Sequence, residues 1–257
     1  MVKYLFTTDL HYGFERKNGH KVPLHDVKAW NAVLAFARDF KPDVWILGGD
    51  MLDVGCVSHH NHGKPGATEG LKLIADAREG RKMFIEPVQE IVGKKGKLVY
   101  IRGNHERFLD DLTEKIPGLE GLLDLDQLLK LDKQWEIVPQ GGAYKLGKVT
   151  FVHGDTISGG ENAAKGSVTT YERNIRFGHI HTYAAYTKTS PLDAKLAKTG
   201  IAVPCLCGKV PNYGRGKPNR WTQGYLYGYI DTDGTFNDYV VIITDGKCIV
   251  NGKAYKG

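Results

Sequence analysis

The sequence predicts an α/β protein built on packed sheets, and three observations carry that prediction. Helix-like and strand-like segments alternate through the first half of the chain, whereas period-two β-hairpin patterning dominates its end. Short apolar runs repeatedly stop at Gly-rich loops bearing Asp, His or Asn, as strands do at the edge of an open sheet. Hydrophobic residues are 41% of the 257 and charged residues 25%, a composition that buries a sizeable core. No linker, repeat or low-complexity tract divides it, so one domain over residues 1–257 is expected.

Val2–Thr8 reads as a buried strand with Asp9 at its end. His25–Phe40 reads as an amphipathic helix with Val27, Trp30, Leu34 and Ala37 on one face, stopped by Pro42. Asp43–Leu47 is a second apolar strand, followed by Gly48-Gly49-Asp50. A polar, Gly-rich stretch runs from Gly55 to Gly70, and Leu71–Val92 is helical in pattern with an interruption near Gly80. Lys97–Ile101 is a third strand, ending in Arg102-Gly103-Asn104-His105-Glu106. Helical segments follow around Arg107–Lys115 and Leu122–Leu131. Lys148–Val152 and Asn174–Phe177 read as strands ending in His153-Gly154-Asp155 and Gly178-His179-Ile180-His181. From about Gly224 onward the chain alternates in period two, with Asp233-Gly234 and Asp245-Gly246 as hairpin turns.

Composition narrows the setting. No apolar run reaches the roughly 18 residues that a membrane span needs, and the first residues lack the pattern of a signal peptide, so a cytoplasmic protein is expected. Cys56, Cys205, Cys207 and Cys248 fit neither a disulfide framework nor a zinc ribbon, and are read as buried or free thiols. The net charge of +6 is compatible with a polyanionic partner such as nucleic acid, and equally with an unremarkable basic surface.

The chemical signal is a recurrence. Asp9-Leu10-His11, Gly49-Asp50-Met51-Leu52-Asp53, Gly103-Asn104-His105-Glu106, His153-Gly154-Asp155 and Gly178-His179-Ile180-His181 each follow an apolar strand. Strand ends at one sheet edge converge in space. Asp9/His11 and His179/His181 are i, i+2 pairs, which in extended backbone point to the same side, so that both members of a pair reach one ion. Carboxylate, imidazole and carboxamide without thiolate suit Mn²⁺, Fe or Zn²⁺ better than a Cys-rich structural zinc site.

This set of motifs, spanning residues 9 to 181, resembles that of the calcineurin-like metallophosphoesterase superfamily, which includes SbcD-type nucleases, cyclic-nucleotide phosphodiesterases and Ser/Thr protein phosphatases. The resemblance implies a two-sheet β-sandwich flanked by helices in four layers, α/β/β/α, with two divalent metal ions, Mn²⁺ first and Fe, Zn²⁺ or Ni²⁺ as alternatives. It implies that Asp9, His11 and His181 hold one metal, that Asn104, His153 and His179 hold the other, and that Asp50 bridges them. His105 would contact phosphate and protonate the leaving oxygen, and Asp53 would orient His105. Arg102 matches an arginine that the protein-phosphatase branch uses near phosphate, although a salt bridge explains it as well. The implied reaction is in-line attack on phosphorus by hydroxide bridging the metals.

Substrate is read from what departs from the family. Val54 stands where Ser/Thr phosphatases carry an arginine, which weakens the phosphoprotein reading. Within the motif-bearing part, residues 1–183, His59 and His60 lie on a loop soon after Asp53 and are candidates for substrate contact, the alternative being a solvated loop. In the remaining part, 184–257, a substrate-face loop precedes the β-hairpins. There Lys209–Tyr227 interleaves Arg215, Lys217 and Arg220 with Tyr213, Trp221, Tyr225 and Tyr227. That is either a nucleic-acid surface or a basic loop leading into a strand whose rings are core. The region from His179 onward is similar to the tails of phage-encoded proteins described as exonuclease-like phosphoesterases. The expected activity is hydrolysis of nucleic-acid phosphodiesters, by an exonuclease or end-processing enzyme. The alternatives are a phosphodiesterase or phosphatase for small nucleotides or phosphoproteins, and a non-catalytic nucleic-acid-binding module.

Overall fold

The first strand sets the pattern for the molecule. In β1 (Val2–Thr7), Tyr4 and Phe6 face one side and Leu5 the other, and all three are fully buried. A strand buried on both faces needs a layer on each. The structure, a computed structural model, describes residues 1–193, 196–208 and 218–257. Its larger sheet has six strands in the order β13 (Phe236–Ile243), β12 (Gln223–Ile230), β1, β4 (Val44–Leu47), β5 (Lys97–Ile101), β6 (Trp135–Val138). A five-stranded sheet follows the order β10 (Ala184–Lys188), β11 (Lys198–Ala202), β9 (Asn174–Phe177), β8 (Val149–Val152), β7 (Tyr144–Leu146). Two hairpins stand apart, β2 (Phe14–Lys17) with β3 (His20–Pro23), and β14 (Lys247–Val250) with β15 (Lys253–Lys256).

The helices are α1 (Val27–Phe40), α2 (Pro65–Thr68), α3 (Leu73–Gly80), α4 (Glu86–Val92), α5 (Arg107–Lys115), α6 (Leu125–Leu129) and α7 (Ala163–Tyr171). Asp26 caps α1 by accepting the backbone N–H groups of Lys28 and Ala29. Trp30, Val33 and Ala37 of α1 and Val88 of α4 pack against Leu5, Trp45, Leu47 and Tyr225 on one face of the larger sheet. On its other face, Tyr4, Phe6, Ile46 and Ile101 meet Val149 and Phe151 of the second sheet. Ala163 of α7 joins Ile175, Phe177 and Ala202 on the far side of that sheet. The layering is therefore α/β/β/α. A buried ion pair ties the sheets together: Arg176 on β9 donates to Asp238 on β13, which also accepts from the Tyr4 hydroxyl at 3.1 Å.

β1, β4 and β5 are mutually parallel, as are β8 and β9. Their C-terminal ends consequently present five loops, which bear the sequence motifs. One expectation changes and two are made specific. Val27 is exposed rather than part of the packed face of α1, because the helix turns its Trp30, Val33 and Ala37 stripe inward. The interruption near Gly80 does not break the helix: a π-helical turn, Arg81–Ile85, joins α3 to α4. A Cβ at Gly80 would stand 2.8 Å from the Tyr12 ring, so glycine there admits a packing contact. Tyr225 and Tyr227 point into the helix-side core and are not surface rings.

Candidate metal centre and active site

Neighbouring loops are sewn to one another by backbone hydrogen bonds that continue past the strands. Asp9 N–H donates to Gly49 O at 3.0 Å, His11 N–H to Asp50 O at 2.8 Å, and Gly178 N–H to His153 O at 2.8 Å. Close approach is enforced by glycine: a Cβ at Gly103 would lie 2.1 Å from Asp50 Oδ1, and one at Gly178 would lie 2.3 Å from Asp9 Oδ2. Asp9, His11, Asp50, His179 and His181 all adopt positive φ, between 49° and 66°. Such backbone is costly for non-glycine residues and gathers at functional sites. It also corrects the argument from extended i, i+2 pairs. These residues reach the site through left-handed turns, and His179 and His181 consequently enter different groups.

The first group is Asp9, His11 and His181. His11 Nε2 lies 3.2 Å from His181 Nε2, and Asp9 Oδ1 lies 3.3 Å from the same atom. The second is Asp50, His153 and His179. His153 Nε2 stands 3.3 Å from Asp50 Oδ2 and 3.0 Å from Asn104 Oδ1. Asp50 Oδ2 is also 3.8 Å from His11 Nε2, so this carboxylate stands between the two groups. His105 and Asp53 lie beside them: His105 Nδ1 is 3.0 Å from the Asp53 carbonyl and 3.1 Å from Asp53 Oδ2. Asp53 Oδ2 is equally close, 3.0 Å, to His11 Nδ1. One carboxylate thus faces both His11 and His105, and the three side chains form a further group that could hold a metal ion.

The donor chemistry fits cations. His153 Nδ1–H is directed to Gly48 O at 2.9 Å, which turns the Nε2 lone pair toward Asp50 and Asn104 oxygens. Without a proton on Nε2, imidazole nitrogen, carboxylate and carboxamide oxygen converge as lone pairs, the donor set of a cation site. Asp9 Oδ2 is satisfied by Thr8 Oγ1 and His179 N–H, both at 2.8 Å, whereas the buried Oδ1 has no hydrogen-bond partner. Burial opposes charging His153, but Asp50 and Asp9 outweigh it and lift the ring to about 10. His105 is likewise raised to about 10, burial being overcome by Asp50 and Asp53. Asp50 is held well below the usual carboxylate range because His153 and His105 outweigh its burial. So much negative potential in a dry site draws protons, and it would draw divalent cations in the same way.

Residues 2–201 match the calcineurin-like phosphoesterase family. The chain belongs to that family. Among solved structures it is similar to Vps29 of Chaetomium thermophilum at 10% identity and a TM-score of 0.46, over 100% of this chain and 99% of that one. A comparison with curated proteins finds no match. Among the described residues, no helix is long and apolar enough to cross a membrane.

Within this family framework, several residues outside the motif reading shape the centre. Glu106 is fully buried and accepts the N–H groups of Asp50, Met51, Leu52 and Gly103 together with the Tyr100 hydroxyl, at 2.8–3.1 Å. It pins the loop that carries Asp50. Its position at the end of Gly103-Asn104-His105-Glu106, just before an amphipathic helix, was the available signal. Cys207 Sγ lies 3.7 Å from His181 Nδ1, and Cys205 completes a compact thiol–imidazole group with them. All four cysteines are free. The Trp221 ring meets the His181 ring edge-on at 4.2 Å.

The remaining candidates scatter. Arg102 forms an ion pair with both Asp110 oxygens at 2.8 and 2.9 Å and donates to Glu106 O at 3.1 Å, which is the salt-bridge alternative. His59 and His60 are exposed, and with His105 they ring Phe108 at 5.0–5.9 Å. Arg220 pairs with Glu161 on the surface. Arg215 and Lys217 lie outside the described residues.

Proposed function

We propose that the chain is a dimetal-dependent phosphoesterase that hydrolyses phosphodiester bonds, with nucleic acid as its substrate. The observation that carries this reading is the placement of Asp50 between two groups of cation-ligating side chains with His105 at their side. Asp9, His11 and His181 would hold one ion, Asn104, His153 and His179 the other, and Asp50 both. Mn²⁺ is the first candidate, and Fe, Zn²⁺ and Ni²⁺ suit the same donors. Two divalent ions there would polarise the phosphoryl group and supply hydroxide from water at neutral pH.

The chain's own residues would do the rest. Asp53 accepts His105 Nδ1–H, which leaves Nε2 as the ring nitrogen for proton transfer. The protonated ring then gives the Nε2 proton to the departing oxygen. Cations at Asp50 would offset part of the charge that raises His105 and bring its pKa down toward neutrality, where a general acid works best.

Metal-stripped protein reloaded with Mn²⁺ should cleave bis(p-nitrophenyl) phosphate and end-labelled DNA or RNA, and the Asp50→Asn variant should not. Hydrolysis of the aryl diester without cleavage of any nucleic acid would keep the centre and move the substrate to a small nucleotide. Nucleic-acid binding with no phosphoester hydrolysis would make the chain a binding module.

A further inference from the structure

Beside the centre lies a cavity of about 670 Å³ with His105 and Asp53 on its lining. It is walled by the β2–β3 hairpin, which contributes Phe14 and Arg16, and by the Gly55–Leu71 segment, which contributes His60, Asn61, Lys64 and Leu71. None of the seven residues assigned above to the two metal positions lines it. The volume falls within the roughly 300–1,000 Å³ typical of small-molecule sites.

His105 connects the cavity to the reaction. If this ring protonates the departing oxygen, the leaving group lies beside it, and His105 lines this cavity. Its chemistry is mixed. Phe14, Leu24, Ala67 and Leu71 give apolar walls, while Asn61 and His60 offer hydrogen-bonding edges. The Lys64 ammonium gives one donor to the His60 carbonyl at 2.8 Å and has two more. An alkyl leaving group would strand the polar groups, and a peptide running through the site would need an open groove instead. A planar ring with a polar edge, attached to a sugar and followed by a phosphate, matches apolar wall, polar edge and cation together.

We infer that this cavity is the leaving-group subsite and that it takes a single nucleoside, either the end of a nucleic-acid chain or half of a small dinucleotide. The leaving-group role rests on the phosphodiesterase reading, whereas the nucleoside site stands without it. The first measurement is therefore adenosine binding to the metal-stripped full chain by ligand-observed NMR, with inorganic phosphate and ribose as controls. Adenosine should bind saturably, and Ala67→Trp, which fills the cavity from a surface helix, should abolish binding. Phe14→Ala should weaken it about tenfold, with circular dichroism confirming the fold of both variants. Absence of adenosine binding, or binding unchanged in both folded variants, overturns the inference whether or not the protein cleaves diesters. Adenosine binding without any diester hydrolysis by the Mn²⁺-loaded protein overturns the leaving-group role alone. A second measurement separates the two sources: turnover of a dinucleotide but not of a long single strand assigns a free small nucleotide, and turnover of both assigns chain ends.

Discussion

The strand-end centre and the loop wall beside it are built on different principles. At the centre, Asp9, His11, Asp50, His153 and His181 are buried, and each is fixed by backbone or side-chain partners across a neighbouring loop. At the wall, His59, His60 and Lys64 are exposed and held by local turns, such as the Ser58 cap on the His60 N–H at 3.2 Å. Packing dictates the first region and leaves the second free to vary. On the reading proposed above, chemistry belongs to the sheet edge and the choice of substrate to the surface segment.

The sharpest test of that contrast is Asp50→Asn. Removing one charge from between both groups should abolish hydrolysis and reduce bound metal at both positions, measured together as turnover and metal content of the dialysed protein. Metal content equal to wild type would show that Asp50 does not join the groups.

His105→Ala separates holding metals from using them. The variant should keep its metal content and lose about 10²–10⁴ in turnover, the usual size of a general-acid contribution. Normal turnover would place the proton donor elsewhere.

Glu106→Gln probes the scaffold under the centre. Five groups donate to this carboxylate, and an amide would set its own N–H₂ against some of them. A loss of about 2–5 kcal/mol in denaturant unfolding is expected, with metal affinity falling in parallel because the Asp50 loop is released. An unchanged unfolding midpoint would mean that the loop holds itself.

These variants also mark where the sequence was legible. The motif loops could be read because each is a polar interruption after an apolar strand, and parallel pairing of β1, β4 and β5 brings such interruptions to one edge. Glu106 was less visible, since a lone charge before an amphipathic helix looks like a solvated first turn. The β2–β3 hairpin, β6, β7, β10, β11 and α7 escaped because they are short or weakly periodic and owe their form to what they pack against. Tyr225 and Tyr227 were open to two readings in the sequence. A tyrosine-rich strand beside a basic loop has the composition of a base-stacking surface, and only the position of β12 beside β1 shows that a helix layer covers these rings.

The smallest expected effect comes from Cys207, on the border between the two principles. His181 turns Nε2 toward Asp9 and His11 and Nδ1 toward the Cys207 sulfur at 3.7 Å. A metal-binding histidine normally gives its second N–H to a carboxylate, carbonyl or water, and loss of that partner costs about 10–100-fold in affinity. Here the partner is a buried thiol whose pKa burial pushes well up, so it accepts as neutral sulfur, a weak acceptor. Cys207→Ala should therefore fall at the low end, about tenfold, and only for the ion held by Asp9, His11 and His181. Cys207→Ser, which restores an acceptor, should recover most of the loss. Competition titration with a chelator resolves the two ions as separate steps. A weakened first step beside an unchanged second would show that orientation at this edge extends one layer beyond the ligands. Equal affinities in the alanine variant and the wild type would reduce Cys207 to a space-filling residue.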